Sequence, residues 1–322
     1  MEIPELSIIV PAHNAGGYLQ ETIESVRALK GIKWECLIIN DRSTDGSLDF
    51  LNALKDPRII RMNSEKPGPT GTRNTGLFRA TGRYVRFLDA DDWLISAAVP
   101  EQIAHIQDLE ARHAKATSVG WFLSRNCDTG DECCVRQRVE PESAESLIKY
   151  NTITGALLHR REDLLAIEGF DESLPFVDEY DLHVRLALSG VQFGLLELPV
   201  FIQRLHSAPH RLSNRSYRSY GVELWLSITA NHIQLAKADS GELSLGLRRA
   251  FAWHYWEIGR CFLRDGVPEA SQQCFSLARE MAPVRAGRWL YQILSRGLGP
   301  VRAEWLLSRG RTQVSDFRSQ VS

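Results

Sequence analysis

Residues 84–93 read Tyr-Val-Arg-Phe-Leu-Asp-Ala-Asp-Asp-Trp, an apolar run that ends in three carboxylates. On an extended chain Asp89 and Asp91, two positions apart, share a face. Two like charges about 4 Å apart repel by roughly 1 kcal/mol in water and about 4 kcal/mol at an effective dielectric of 20. Folding alone gives no reason to gather them. A divalent cation does, because Mg2+ or Mn2+ takes carboxylate and water oxygens and leaves room for a ligand phosphate. The plain alternative is a solvated turn in which Asp92 caps the next helix.

Working outward, the same pattern of strand into polar loop recurs upstream. Leu6-Ser7-Ile8-Ile9-Val10 is a short branched run followed by the loop Pro11 to Gly17. Leu19, Ile23, Val26 and Leu29 then fall at helical spacing. Residues 35–39 form a second strand ending at Asn40-Asp41, and Leu48, Leu51 and Leu54 mark a second amphipathic helix. Residues 58–62 form a third strand, residues 70–80 a helix, and residues 84–88 the fourth strand. This alternation predicts parallel strands joined by crossovers, with helices on both faces of the sheet. Ligands in such sheets bind beyond the strand C-termini, so His13-Asn14, Asp41-Arg42-Ser43 and Asp89 to Asp92 are expected on one rim. Further on, Val99 to Leu109 reads as a helix, residues 117–123 as a strand, and residues 152–158 as a loop entering a strand. A helix starts near Asp178, and Val191 to Ile202 reads as a last strand or two, broken near Pro199.

With 322 residues and 43% hydrophobic content the chain can fill two domains. Its formal net charge of −2 provides no basic field for nucleic acid. No apolar run approaches the roughly 18 residues of a membrane helix, and residues 1–5 have no secretory pattern. The six cysteines, at 36, 127, 133, 134, 261 and 274, form no regular framework and read as free thiols of a reducing cytosol. The expected division is a catalytic domain over 1–225 and a helical region over 226–322. In the latter, Tyr255, Ile258, Gly259, Phe262, Phe275, Ala278 and Pro283 fit one tetratricopeptide-like hairpin. From Val284 onward the tail carries seven arginines against Glu304 and Asp316. That suits either peripheral contact with a membrane or a basic helix covering the domain.

The stretches 7–14, 39–47, 71–77, 87–93 and 177–186, in this order, resemble a family 2 glycosyltransferase of the GT-A fold. The resemblance covers residues 5 to 206 and implies inverting transfer of a sugar from a nucleotide diphosphate to an acceptor hydroxyl. It implies a central, mostly parallel sheet with helices on both faces. Pro11, Ala12, His13 and Asn14 correspond to the first nucleotide loop, with His13 where relatives often carry tyrosine. Asp41 corresponds to the carboxylate that accepts from the base, which suits the imide N–H of uracil; its structural alternative is a helix cap with Ser43 or Asp45. Arg73 belongs to the nucleotide site or braces the aspartates as an ion pair. Asp89 corresponds to the ribose contact and Asp91 to the metal ligand, with Asp92 an outer or capping residue.

The family's general base lies in a Glu-Asp pair. Here the order is Asp178-Glu179, so the base position falls on Glu179, with Asp178 the alternative. Asp181 and Arg185, four apart, suit a helical ion pair. Arg204-Leu205-His206 resembles an Arg-x-His element whose histidine reaches the metal. The Gln-x-x-Arg-Trp signature of processive synthases is absent, which points to single transfers. The implied cofactor is Mn2+ or Mg2+ and the implied partners are a UDP-linked donor and a glycan or lipid-linked acceptor. The implied setting is cytoplasmic, at or near the inner membrane face, in cell-surface polysaccharide synthesis. Two other readings stay open: a catalytically silent nucleotide-sugar binder or scaffold, and a nucleotidylyltransferase, which Gly71-Thr72-Arg73 faintly suggests.

Overall fold

The computed structural model describes residues 3–52, 54–137, 143–174, 178–206, 221–238 and 241–282. The chain divides into two compact units, Met1–His210 and Arg211–Ser322.

The first unit is built on one sheet. Strands β1 (Leu6–Ala12), β2 (Trp34–Asn40), β3 (Ile59–Asn63) and β4 (Tyr84–Phe87) are joined through helices α1 (Tyr18–Arg27) and α2 (Gly68–Arg79). They pair in parallel, in the order β3-β2-β1-β4. Alternate residues serve opposite faces, and most side chains of β1, β2 and β4 are apolar, as suits strands covered on both sides, with Ser7, Glu35 and Arg86 the buried polar exceptions. Ile9, Ile39, Val85 and Phe87 pack with Leu77 of α2 on one face. Ile8, Val10, Ile38 and Tyr84 pack with Leu19, Ile23 and Val26 of α1 on the other.

Beyond β4 the pairing becomes mixed. The further elements are β5 (Trp93–Leu94), α3 (Val99–Arg112), β6 (Ala116–Asn126), β7 (Glu132–Val135), α4 (Ala144–Lys149), β8 (Leu157–Arg160), α5 (Arg161–Ala166), α6 (Asp178–Leu188) and β9 (Gln192–Leu205). β8 runs antiparallel to β4 and β6, whereas β6 and β9 are parallel to each other. Two reversals restore direction, so β6 and β9 end at the same rim as β1, β2 and β4. The break expected near Pro199 is a pair of register slips within one strand: Gly120 faces Leu196, Trp121 faces Pro199 and Phe122 faces Phe201. Proline has no N–H for the ladder and sits at such irregularities.

The helix expected over Leu48, Leu51 and Leu54 is instead a 3-10 turn at Asp49–Asn52. Its leucines recur every three residues, the period of a 3-10 helix and not of an α-helix. The backbone agrees: Leu51 donates to Leu48 and Leu54 to Leu51. Asp92 caps no helix, since β5 follows it directly.

The second unit contains α7 (Gly221–Lys237), α8 (Leu245–Arg264) and α9 (Pro268–Met281). Helix thus begins a few residues before position 226, where composition changes. Ser244 caps α8 by accepting from the Leu247 amide at 3.1 Å. Tyr255, Ile258 and Phe262 of α8 and Phe275 and Ala278 of α9 are buried. A Cβ at Gly259 would lie 2.7 Å from the Phe275 ring, so the two helices touch through a missing side chain. Pro283 and the basic tail from 284 lie outside the described residues. Among the described residues no helix is long and apolar enough to cross a membrane, and no disulfide joins the cysteines.

Helix α2 lies so close to the sheet that a Cβ at Gly76 would fall 2.4 Å from Ile9 Cγ2. Gly76→Ala is therefore expected to destabilise the fold by about 1–3 kcal/mol through overpacking, measured by urea unfolding.

Candidate active site

The ends of β1, β2, β4 and β9 and the starts of α2 and α6 supply the residues of the rim. The first loop is stitched to the second by side chains. His13 Nδ1 lies 2.6 Å from the Asp41 carbonyl; a carbonyl only accepts, so Nδ1 carries the proton. His13 Nε2 is then free to accept from Asn14 Nδ2, at 3.4 Å. Asn14 sits at φ 47°, accepts from the Thr44 amide at 2.8 Å and donates its own amide to Ser43 Oγ at 3.1 Å. Ala12, buried behind Pro11, contributes its carbonyl to the Asp41 amide at 2.8 Å.

Among the described residues Asp41 does not join Ser43 or Asp45 in a cap of its own loop. One carboxylate oxygen accepts from the Gly68 amide at the start of α2, at 2.8 Å, and the other from Arg42 at 2.7 Å. Helix N-termini leave such amides without partners, so a carboxylate from another loop fills the role.

Arg73, one turn into α2, is buried at 7% exposure. Its Nη1 donates to Asp178 at 2.8 Å and its Nη2 to Asp89 at 2.9 Å, with Glu179 at 3.8 Å. The guanidinium therefore ties the end of β4 to the start of α6. Burial opposes its charge most, yet Asp89, Asp178 and Glu179 outweigh burial and raise its pKa. Of the two readings of Arg73, the ion pair that braces the aspartates is the one seen directly. Arg185 Nε also donates to Asp181 at 2.7 Å, as their helical spacing predicts.

Adjacent Asp178 and Glu179 have different surroundings. Asp178 is bound directly to Arg73. Glu179 accepts a long contact from the Thr154 amide, 3.4 Å, and keeps 25% of its side chain exposed. Burial pushes Glu179 up to about 7; Arg73 opposes this, while Asp178 and Asp89 add to it. A carboxyl that titrates near neutrality and can still be reached from solvent suits proton transfer.

Asp89, Asp91 and Asp92 each offer an oxygen, all within 4.8 Å of one another. Asp91 Oδ2 also lies 3.0 Å from His206 Nε2. The His206 ring stacks on Tyr18 with centroids 4.5 Å apart. Asp92 is buried and accepts the Arg204 amide at 2.9 Å. This donor set, mostly hard oxygen with one imidazole, fits Mg2+ or Mn2+.

Sequence reasoning placed Arg204 in its Arg-x-His element but gave it no role of its own. Its side chain is 1% exposed and donates to Glu21 at 2.5 Å, to the Tyr18 carbonyl at 3.0 Å, to Thr22 Oγ1 at 3.1 Å and to the Asp91 carbonyl. Its guanidinium also sits over the rings of Tyr18 and Trp93. It clamps β9, α1 and the aspartate loop together. The Arg-x-His spacing pointed to the place, but its partners are scattered through the sequence.

Residues 7–147, within the first unit, match the model of glycosyl transferase family 2. The fold is that of S. aureus TarS, solved in complex with UDP-GlcNAc, at TM-score 0.62 and 17% identity over 98% of this chain and 95% of that one. Among curated proteins, TuaG of Bacillus subtilis, whose name places it in teichuronic acid biosynthesis, is 42% identical over 92 residues, covering 28% of this chain and 36% of that protein. The UDP-Glc:alpha-D-GlcNAc-diphosphoundecaprenol beta-1,3-glucosyltransferase WfaP of Escherichia coli is 38% identical over 106 residues, covering 33% of this chain and 42% of that protein. The matched region thus spans about two fifths or less of these relatives.

Because Glu179 rises from 4.5 to about 7 on folding, the folded chain holds a proton that the unfolded chain releases. Its contribution is most favourable below the unfolded pKa and is lost as pH climbs towards 7. Glutamine suffers no such loss. The stability of Glu179→Gln relative to the parent is expected to increase by at most about 3 kcal/mol between pH 4 and pH 8, as read by urea unfolding at each pH.

Proposed function

We propose that this chain transfers single sugars, with inversion, from a nucleotide diphosphate sugar to an acceptor hydroxyl. The observation that carries the reading is the Arg73 junction. It gathers Asp89 and the Asp178-Glu179 pair at the rim where parallel strands end, a short way along the chain from the Asp91–His206 contact.

Glu179 is the proton acceptor in this scheme. It is more exposed and less tied to Arg73 than Asp178, and near pH 7 a good part of it is ionised. It takes the acceptor proton as the oxygen attacks the anomeric carbon from the face opposite the leaving diphosphate, which inverts that centre. Asp178 keeps Arg73 charged and in place. Asp91, with Asp89, Asp92 and His206 around it, would hold Mn2+ or Mg2+; His206 would have to release its Nε2 proton to join. Such a cation, when bound, supplies charge stabilisation to the departing nucleotide diphosphate.

A UDP-linked donor is favoured because the imide N–H of uracil suits the Asp41 carboxylate. TarS, solved with UDP-GlcNAc and with UDP, and the UDP-Glc transferase WfaP point the same way. Pro11, Ala12, His13 and Asn14 would wall the nucleotide. The acceptor is assigned to cell-surface polysaccharide or lipid-linked glycan assembly by analogy with TuaG and WfaP. The corresponding place of work is the cytoplasm, at the inner membrane face.

A thermal-shift panel of nucleotide sugars with and without Mn2+ is expected to select UDP-sugars and to need the cation. Asp91→Ala should lower turnover by about 10²-fold or more. Glu179→Gln should keep the donor-induced shift and lose transfer. Release of pyrophosphate instead of nucleoside diphosphate would point to nucleotidyl transfer. Binding without any release would leave a silent binder, and inactivity of Asp178→Asn with activity of Glu179→Gln would move the base by one residue.

A further inference from the structure

Arg86 lies on β4 with no exposed surface. Unlike Arg73 and Arg204, it meets no carboxylate among the described residues. Its Nη1 donates to the Gly155 carbonyl at 2.9 Å, its Nη2 donates to Gln102 Oε1, and its Nε has no partner among the described residues. Burial lowers its pKa to about 9. A cation inside a protein without a counter-charge is costly, so its contacts call for an explanation beyond packing.

All of these contacts lead to one short turn, Thr154–Ala156, ahead of β8. Arg86 holds the carbonyl of Gly155. Gln102, itself fully buried, holds the carbonyl of Ala156 at 3.0 Å and anchors to the Ser118 carbonyl at 3.2 Å. The Phe201 ring closes the other side, 3.0 Å from where a Gly155 Cβ would stand. At the head of this turn the Thr154 amide points to Glu179 Oε2, at 3.4 Å. That distance is long for a hydrogen bond, as contacts to a reacting carboxylate often are before substrate binds.

We propose that Arg86 is a positioning residue that pins the Thr154–Ala156 turn from within the sheet and, through the Thr154 amide, sets the carboxylate of Glu179. The proposal rests on Glu179 being the proton acceptor, but its structural half stands independently of activity. It also accounts for a buried cation with no counter-ion: a guanidinium reaches a backbone carbonyl and the Gln102 side chain together.

The test uses the full chain and two readouts. In Arg86→Met, amide hydrogen exchange should quicken across residues 152–158 while β1 and α2 keep their protection. Release of UDP from UDP-glucose with Mn2+ should lose about 10- to 100-fold in kcat, with donor KM within about two-fold of the parent. Arg86→Lys, which keeps the charge but can reach only one of the two acceptors, should fall between parent and Met in both readouts. Gly155→Ala, pressing the turn from the Phe201 side, should show the same kcat-only loss, and joining it to Arg86→Met should add little. The proposal is overturned if exchange at 152–158 is unchanged, or if protection falls equally across the whole first unit. It is also overturned if KM rises while kcat holds. Should Arg86→Met fail to fold, Arg86→Lys decides: parental exchange at the turn and parental kcat overturn it. If the parent releases no UDP, the enzyme reading fails while the exchange result still tests the turn.

Discussion

The first unit is organised around a buried guanidinium that cannot stand alone. Arg73 is taken out of water by α2 and the sheet, and burial by itself disfavours its charge. It stays charged because Asp89, from the end of β4, and Asp178, from the start of α6, accept its two terminal nitrogens. Those partners lie 16 and 105 residues away in sequence. Breaking such a set leaves an uncompensated charge inside the protein, which is strongly destabilising. The junction therefore fixes the distance between the acidic strand end and the helix that carries Glu179. Asn74, the next residue, holds the chain ahead of α6 by exchanging hydrogen bonds with the Phe170 backbone, both at 2.9 Å.

Arg204 plays the corresponding part on the other side of the aspartate loop. It joins β9 to α1 and holds the Asp91 carbonyl. Between the two arginines, Asp89, Asp91 and Asp92 are held close despite their repulsion. Each has an outlet: Asp89 in Arg73, Asp91 in His206, Asp92 in the Arg204 amide. The cluster is thus stable enough to persist. Burial holds the Glu179 proton more tightly than that of an ordinary glutamate, and its distant share of Arg73 offsets only part of this.

Much of this architecture was legible in order of residues. Largely apolar runs at 6–12, 34–40 and 84–87, each leading into polar residues, give parallel strands whose ends form one rim. Asp41, Arg73, Asp89, Asp91, Asp178, Glu179 and His206 were all singled out by motif. The mixed pairing from β8 onward was less visible, since a strand's direction leaves little trace in its composition. The segment 48–54 was misread because three leucines look helical unless their spacing is counted against both periods.

The chain's own pattern decides which segments are strands and which loops carry carboxylates, because burial on two faces and loop chemistry act over a few residues. It does not decide which of two neighbouring acids is free. Asp178 and Glu179 are adjacent, but one step along a helix turns the side chain by about 100°, so one faces Arg73 and the other the solvent and Thr154. Nor does it reveal that Arg86 and Arg204 are buried. Charge compensation is made by groups brought from distant parts of the chain, and only the folded structure brings them within reach.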